Sequence, residues 1–397
     1  MDRILSRDKT LFFLWISLCL LLIAANIFLI LENFHVSGWD FRVYYTAVKT
    51  IEKGNNPYFA NKLKGYSDKG FTFFPYPPLI LIFFKAIISS CPHLDLKISY
   101  YIFWSLFLIA AFYVIKKIYS HSNVLLLVTL LLTGFVTTYW NYLTGNIGII
   151  ELFVFSLIFY WITRKRYYLA AIFIGLMGFV KILPIAFGSL FLFADTARGN
   201  RYKIFLLIPA IFILLHTISY ALFPGISSTY FLILSGKIPG QYNPMNEGGL
   251  QCNPALFCLI NDIACKLFIS NRIIFLGMYG LFVSFVFLLF LYYALKKQRG
   301  FLEVFCVGVL SFLLIFPRLK PYSFTLALVP IYFLIKEWNL KDLIFPILLI
   351  SAFPTLSLII NNIYPSILFE YAQSISLLIF YMFFIFYNKN LKMLQWI

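Results

Sequence analysis

The chain has 397 residues, of which 62% are hydrophobic and only 12% charged, about half the roughly 25% usual for a soluble domain. So little polar surface excludes a water-soluble body of this size. The net charge of +17 would suit nucleic acid if it formed one basic face, but the lysines and arginines sit in short clusters between long apolar runs, as in the cytoplasmic loops of a membrane protein.

Taken in chain order, the first apolar run is Thr10–Leu31. It is longer than the roughly 7–15 residues of a signal-peptide core, and no small-residue cleavage site follows, so it reads as a first transmembrane helix. A long polar loop, Glu32–Tyr76, comes next. Pro77–Ser90 is apolar but falls short of the roughly 20 residues a span needs, and is expected to lie on the surface or re-enter. Spans are then expected at Ile98–Ile115, Val124–Asn141, Ile147–Thr163, a broken segment Tyr167–Phe193, and Ile204–Phe223. After a second long loop, Pro224–Asn271, come Ile273–Leu295, Phe301–Phe316, Tyr322–Ile335, Leu343–Ile360 and Ile367–Tyr387.

Charge sets the orientation. With Arg3, Arg7 and Lys9 in the cytoplasm, and Tyr167–Phe193 read as two half-spans breaking at Lys181-Ile182-Leu183-Pro184, every basic cluster falls inside. These are Lys116/Lys117, Arg164/Lys165/Arg166, Arg198/Arg201/Lys203, Lys296/Lys297/Arg299, Lys336/Lys341 and Lys389/Lys392. Counting Pro77–Ser90 as a true span would put Arg164-Lys165-Arg166 outside, against the positive-inside rule. The expectation is an all-α polytopic membrane protein with about 12 transmembrane helices. It forms one domain over residues 1–397, with both termini inside and outer loops at 32–97 and 224–271 folding over the outer face.

On this orientation Asp40, Asn146, Lys181, Asn253-Pro254, Arg318 and Lys320 all land outside. Asp40 stands among Trp39, Phe41, Tyr44 and Tyr45. A carboxylate in an apolar setting tends to a raised pKa, which suits a general base; a solvated interfacial Asp is the alternative. Lys181, between apolar half-spans, either binds a phosphate or snorkels to the interface. Arg318 and Lys320 flank a tight Pro-bounded turn, where Arg offers a bidentate fork to phosphate and Lys a point charge. They could equally be interfacial anchors. Arg42 could hold phosphate or tune Asp40. Glu151 is an intramembrane carboxylate, either paired with Lys181 or lining a substrate groove. Glu247 shapes the acceptor side or is simply solvated. Gly54-Asn55-Asn56-Pro57-Tyr58 and Pro77-Pro78 read as architectural turns.

The six cysteines are scattered. Cys252, Cys258 and Cys265 share one loop without metal-type spacing; they read as unpaired, with a disulfide among them the alternative if that loop faces an oxidising compartment. His35, His93, His121 and His216 show no ligand spacing, so no His-based metal site is expected, and a single nearby carboxylate would make a poor cage for a divalent ion. Nothing resembles a P-loop or dinucleotide fingerprint, and no cofactor is expected.

Three stretches together resemble glycosyltransferase family 87. They are Asp40-Phe41…Tyr44-Tyr45, Gly54…Asn56-Pro57-Tyr58 and Phe74…Tyr76-Pro77-Pro78-Leu79. Gly145-Asn146 with Gly175 and Lys181…Pro184 is similar to the family's "GQ … aGl … KxxP" region, and Phe316–Ser323 to its late outer-loop motif. The resemblance runs over roughly residues 38–330 and is most specific in the first loop. Members are multispanning type C enzymes that use polyprenyl-phosphate sugars. The resemblance implies a membrane glycosyltransferase with Asp40 as general base, Lys181, Arg318, Lys320 and Arg42 on the donor phosphate, and Tyr44, Asn146, Glu151, Glu247 and Tyr322 on substrate. It also implies inverting transfer of a mannose-like hexose to a lipid or glycan acceptor, as in cell-envelope glycan biosynthesis, on the periplasmic or extracytoplasmic side. Where several members carry His in the late motif, this chain has Tyr322. A lipid-linked glycan flippase, or a non-catalytic subunit of the same fold, is the rival reading.

Overall fold

The structure is a computed structural model that describes residues 2–59, 74–90, 93–118, 123–235, 237, 254–267, 271–296, 299–361 and 366–394. It is 84% helical, with no strand among the described residues. In hydrocarbon every backbone N–H and C=O must be satisfied within the segment, which leaves the helix as the open-chain solution.

Helix α1 (Asp2–Glu32) is followed by α2 (Trp39–Glu52), α3 (Ile80–Ser90) and α4 (Leu96–Ile118). The centre is built from α5 (Val124–Thr133), α6 (Thr137–Thr144), α7 (Gly148–Thr163), α8 (Tyr167–Val180) and the short α9 (Leu183–Phe187). Then come α10 (Arg198–Leu222), α11 (Pro224–Leu234), α12 (Leu256–Lys266) and α13 (Arg272–Ala294). The chain closes with α14 (Phe301–Ile315), α15 (Thr325–Ile335), α16 (Leu340–Ile347), α17 (Phe353–Asn361), α18 (Ile367–Glu370) and α19 (Ala372–Leu394).

Among the described residues, six helical stretches are long and apolar enough to cross a membrane: Lys9–Glu32, Leu96–Ile118, Val124–Thr144, Arg198–Leu222, Arg272–Ala294 and Leu340–Asn361. Eight further apolar helices are only 10–17 residues long. The chain is thus an all-α, multi-pass membrane protein. Helices α1, α10 and α13 expose rows of Leu, Ile and Phe, including Phe13, Leu21, Phe28, Leu206, Ile273 and Leu281; such faces are at home in lipid. By contrast α14 and α15 are buried almost all round, and with α7 they form the inner layer of the bundle.

Two expectations are corrected. The first polar loop contains the 14-residue α2, and the second contains α11 and α12. Hydropathy alone misses α2 because its sequence mixes charge with apolar residues. Its buried residues nevertheless recur at helical spacing, at Phe41, Tyr44, Ala47 and Val48. For α11 the signal was Pro224 at the first helical position.

Described parts of both polar loops pack against the helices. Phe41, Tyr44, Tyr58, Phe74 and Tyr76 form one aromatic cluster with Phe84 of α3, Tyr100 and Trp104 of α4, Tyr142 of α6 and Tyr230 of α11. The Gly54–Tyr58 turn is architectural, as expected. Asn56 accepts from the Tyr58 N–H at 3.0 Å and donates to Thr229 at 2.9 Å, while the Tyr58 hydroxyl donates to the Tyr76 carbonyl.

Two breaks aim the site. Between α5 and α6, Phe135 (φ 50°) and Val136 (φ 55°) are left-handed, a conformation costly for bulky and β-branched residues. Gln373 of α19 holds this kink by donating to the Phe135 carbonyl, and also donates to Pro321 at 3.3 Å. Between α8 and α9 the backbone of Lys181 is extended, so Tyr167–Phe193 is broken where the sequence predicted.

Candidate functional site

The turn from α6 to α7 meets the start of α2. Gly145 ends α6 in the left-handed region (φ 71°), and a Cβ there would lie 2.7 Å from the Phe41 Cβ. The Gly38 N–H donates to the Leu143 carbonyl at 2.8 Å, tying the first residues of α2 to the end of α6. Because Phe41 follows Asp40 and Gly145 precedes Asn146, this approach brings the Asp40 and Asn146 side chains together. Asp40 also sits in the first turn of α2, where the helix dipole favours an anion.

Asn146 is buried, at 2% exposure. Its backbone carbonyl accepts from the Trp104 indole at 2.5 Å, and its N–H donates to Thr144 Oγ1 at 3.0 Å. Its side-chain Nδ2 donates to Asp40 Oδ2 at 2.8 Å and to the Tyr44 hydroxyl at 3.3 Å. Its Oδ1 accepts from Lys181 Nζ at 3.2 Å. The Lys181 ammonium also donates to Glu151 Oε2 at 2.7 Å and lies 4.9 Å from the centre of the Tyr322 ring. Six of the residues singled out in the sequence, Asp40, Tyr44, Asn146, Glu151, Lys181 and Tyr322, therefore form one connected constellation drawn from five separate segments.

The ion pair is partly sequestered, with 6% of the Glu151 side chain and 23% of the Lys181 side chain exposed. Glu151 Oε1 is buried and meets no donor. A lone ammonium at this depth would be costly; here it has a carboxylate, an amide oxygen and an aromatic face.

Sequence reasoning missed Tyr76 as a site residue, although it lies within the quoted Phe74…Tyr76-Pro77-Pro78 stretch. Its hydroxyl is 3.1 Å from that of Tyr44. Burial, and then the neighbouring Asp40 charge, raise the Tyr76 phenol above its ordinary pKa; burial, Tyr76 and Asp40 do the same for Tyr44. Both stay neutral around Asp40 and act as hydrogen-bond groups rather than bases.

The other candidates are placed as follows. Arg42 is exposed, and its guanidinium donates to the Ser37 carbonyl at 3.4 Å. Arg318 is exposed and Lys320 half-buried, on the stretch that leads into the 3-10 turn Pro321–Phe324 carrying Tyr322. Glu247 and Cys252 lie outside the described residues, while Cys258 and Cys265 are free thiols.

A search of curated proteins gives no match to this chain. The sequence profile of glycosyltransferase family 87 matches residues 73–317. That stretch includes Asn146, Glu151 and Lys181, begins after Asp40 and ends just before Arg318. It covers more than half of the 397 residues, and the chain belongs to glycosyltransferase family 87, a membrane glycosyltransferase.

Proposed function

We propose that the protein transfers a mannose-like hexose from a polyprenyl-monophosphate sugar to a lipid or glycan acceptor on the outer face of the cell membrane, inverting the anomeric centre. The observation that carries this reading is the Asp40–Asn146–Lys181 chain. One side-chain amide separates a carboxylate from an ammonium, so Asp40 and Lys181 lie within about 8 Å of each other. Inverting transfer needs a base for the attacking hydroxyl and a cation for the leaving phosphate, and this constellation holds one of each.

In this scheme Lys181, with Arg318, Lys320 and Arg42, binds the donor phosphate and stabilises the charge that grows as it departs. Asp40 takes the proton of the acceptor hydroxyl, whose oxygen attacks the anomeric carbon as the carbon–phosphate-oxygen bond breaks and its electron pair leaves with the phosphate. Tyr44, Asn146, Glu151, Glu247 and Tyr322 line the substrate side. Glu151 Oε1, buried without a donor, is the acceptor we assign to a sugar hydroxyl. Tyr322 stands where several family members carry His, and its ring flanks the ammonium. Both termini lie in the cytoplasm, about 12 crossings form a single domain, and the loop helices cap the site.

The test is transfer of label from a panel of polyprenyl-phosphate sugars to an extract of the source membrane, with wild type and Asp40→Asn in nanodiscs. Transfer by wild type, with donor binding but no transfer by Asp40→Asn, supports the reading. Equal transfer by both removes Asp40 as base. Donor binding by wild type with no transfer to any acceptor favours a non-catalytic or flippase role.

A further inference from the structure

The Asn146 side chain can present either its NH2 or its C=O to Asp40, and only one suits a base. An ionised carboxylate has lone pairs alone to offer, so it needs the NH2. With the carbonyl turned toward it, Asp40 could make that hydrogen bond only by keeping a proton, and a protonated Asp accepts none from the acceptor. What sets the orientation is the far side of the amide. The Lys181 ammonium is a donor with no lone pair, and it sits 3.2 Å from Oδ1. Reversing the amide would point NH2 at ammonium and carbonyl at carboxylate, losing both contacts. Glu151 holds the ammonium in place at 2.7 Å, and Trp104 and Thr144 pin the Asn146 backbone.

We infer that Asn146 is the positioning residue of this enzyme. Its amide, keyed by the Lys181 charge, holds Asp40 in the ionised, proton-accepting state. The inference rests on Asp40 being the base. Lys181 then has two roles, as a ligand for donor phosphate and as the key that orients the amide. Among the described residues, these charged and titratable groups surround Asp40. Arg42 and Tyr44 share its helix, and Tyr76 precedes α3. Glu151 and Lys181 come from α7 and the α8–α9 break, Tyr322 stands on the late turn with Arg318 and Lys320 preceding it, and Tyr100 of α4 packs beside Gly38.

The experiment is the pH profile of kcat/KM for label transfer by the full-length protein in nanodiscs, using whichever polyprenyl-phosphate sugar wild type accepts. The variants are Asp40→Asn, Asn146→Leu, Asn146→Gln and Lys181→Met. A hydrogen bond donated to a carboxylate lowers its pKa, so losing the donor moves the acid limb upward. Asn146→Leu is expected to shift that limb by about one pH unit to higher pH and to lower the rate at pH 7 about a hundredfold. Lys181→Met is expected to raise the donor KM and to shift the limb in the same direction. Asn146→Gln keeps an amide, and its limb stays within a fraction of a unit of wild type whatever its rate. The limb is a property of the active molecules and does not depend on how much of a variant folds. An unmoved limb in Asn146→Leu, with Asp40→Asn inactive, overturns the positioning role and leaves the base in place. Wild-type transfer by Asp40→Asn overturns the base, and this inference with it.

Discussion

Gly145→Ala puts the geometry of the site under direct stress. Two costs follow from the structure. The left-handed backbone (φ 71°) costs an alanine about 1 kcal/mol more than a glycine. The new Cβ would also lie 2.7 Å from the Phe41 Cβ, 3.1 Å from the Phe41 backbone N and 3.3 Å from the Gly38 Cα. None of these atoms can move away by a rotamer change, so α2 and the α6–α7 turn must separate by about 0.7 Å to reach ordinary contact. Because Asp40 and Asn146 are the next residues on either side, that separation lengthens their 2.8 Å hydrogen bond to about 3.5 Å, beyond useful range. The expected loss is about 2–3 kcal/mol of stability, and about a hundredfold in transfer for a sub-ångström misplacement. Gly54→Ala is the matched control. Its φ is 72°, with nothing within 4 Å of the added Cβ, so it carries the backbone cost alone, about 1 kcal/mol, with transfer unchanged. Thermal unfolding in detergent and label transfer read the two effects separately. Equal transfer rates for the two variants would refute the claim that close approach at Gly145 sets the Asp40–Asn146 distance.

Other perturbations have equally defined outcomes. Glu151→Leu and Lys181→Met each break a buried pair and should cost about 3 kcal/mol, while the double variant costs less than the sum; strict additivity in a thermal-unfolding cycle would show the pair uncoupled. Gln373→Leu removes the donor shared by the Phe135 and Pro321 carbonyls and should cost about 2 kcal/mol, together with loss of transfer from a relaxed α5–α6 kink; an unchanged unfolding temperature would argue against the clamp. Burial raises the phenols of Tyr44, Tyr58 and Tyr76 above the ordinary value of about 10. The folded state therefore holds these protons more tightly than the unfolded state, and their contribution to stability is complete below pH 10 and lost as pH rises above it. Tyr58→Phe should flatten that alkaline decline in a chemical-denaturation series, and an unchanged slope would mean this phenol does not drive it.

Much of the site was legible because membrane solvation makes polarity informative. A carboxylate or ammonium inside an apolar stretch is costly, so Glu151 and Lys181 stood out in the sequence, and the structure pairs them at 2.7 Å. Lys181 was also marked by Pro184 just beyond it, which predicted the break that frees its backbone. The helices in the loops were less visible. The mean hydropathy of α2 is low although its buried face is regular, and a search for apolar runs averages the two faces. Partnerships between distant segments left no local trace. Nothing near Gln373 says that it will reach a carbonyl at Phe135, 238 residues away, and nothing near Tyr76, at the end of the first polar loop, says that its hydroxyl will meet that of Tyr44.

The departure at Tyr322 ties these observations together. A histidine at that position could move a proton or touch phosphate; a tyrosine offers a hydroxyl but no base at neutral pH. In this chain the Tyr322 ring faces Lys181 at 4.9 Å, and the same ammonium binds Glu151 and Asn146. Among the described residues that ammonium makes two hydrogen bonds, and on the proposed reading its remaining N–H serves the donor phosphate. The late turn supplies an aromatic face beside the ammonium, which favours its charged form. On the proposed reading, proton transfer falls to Asp40. Tyr322→Phe, which keeps the ring, should retain most of the transfer activity, and Tyr322→Ala should weaken donor binding several-fold. If Tyr322→Phe instead abolished transfer while donor still bound, the hydroxyl would carry the chemistry, and the division of labour between Lys181 and Asp40 argued for this site would be wrong.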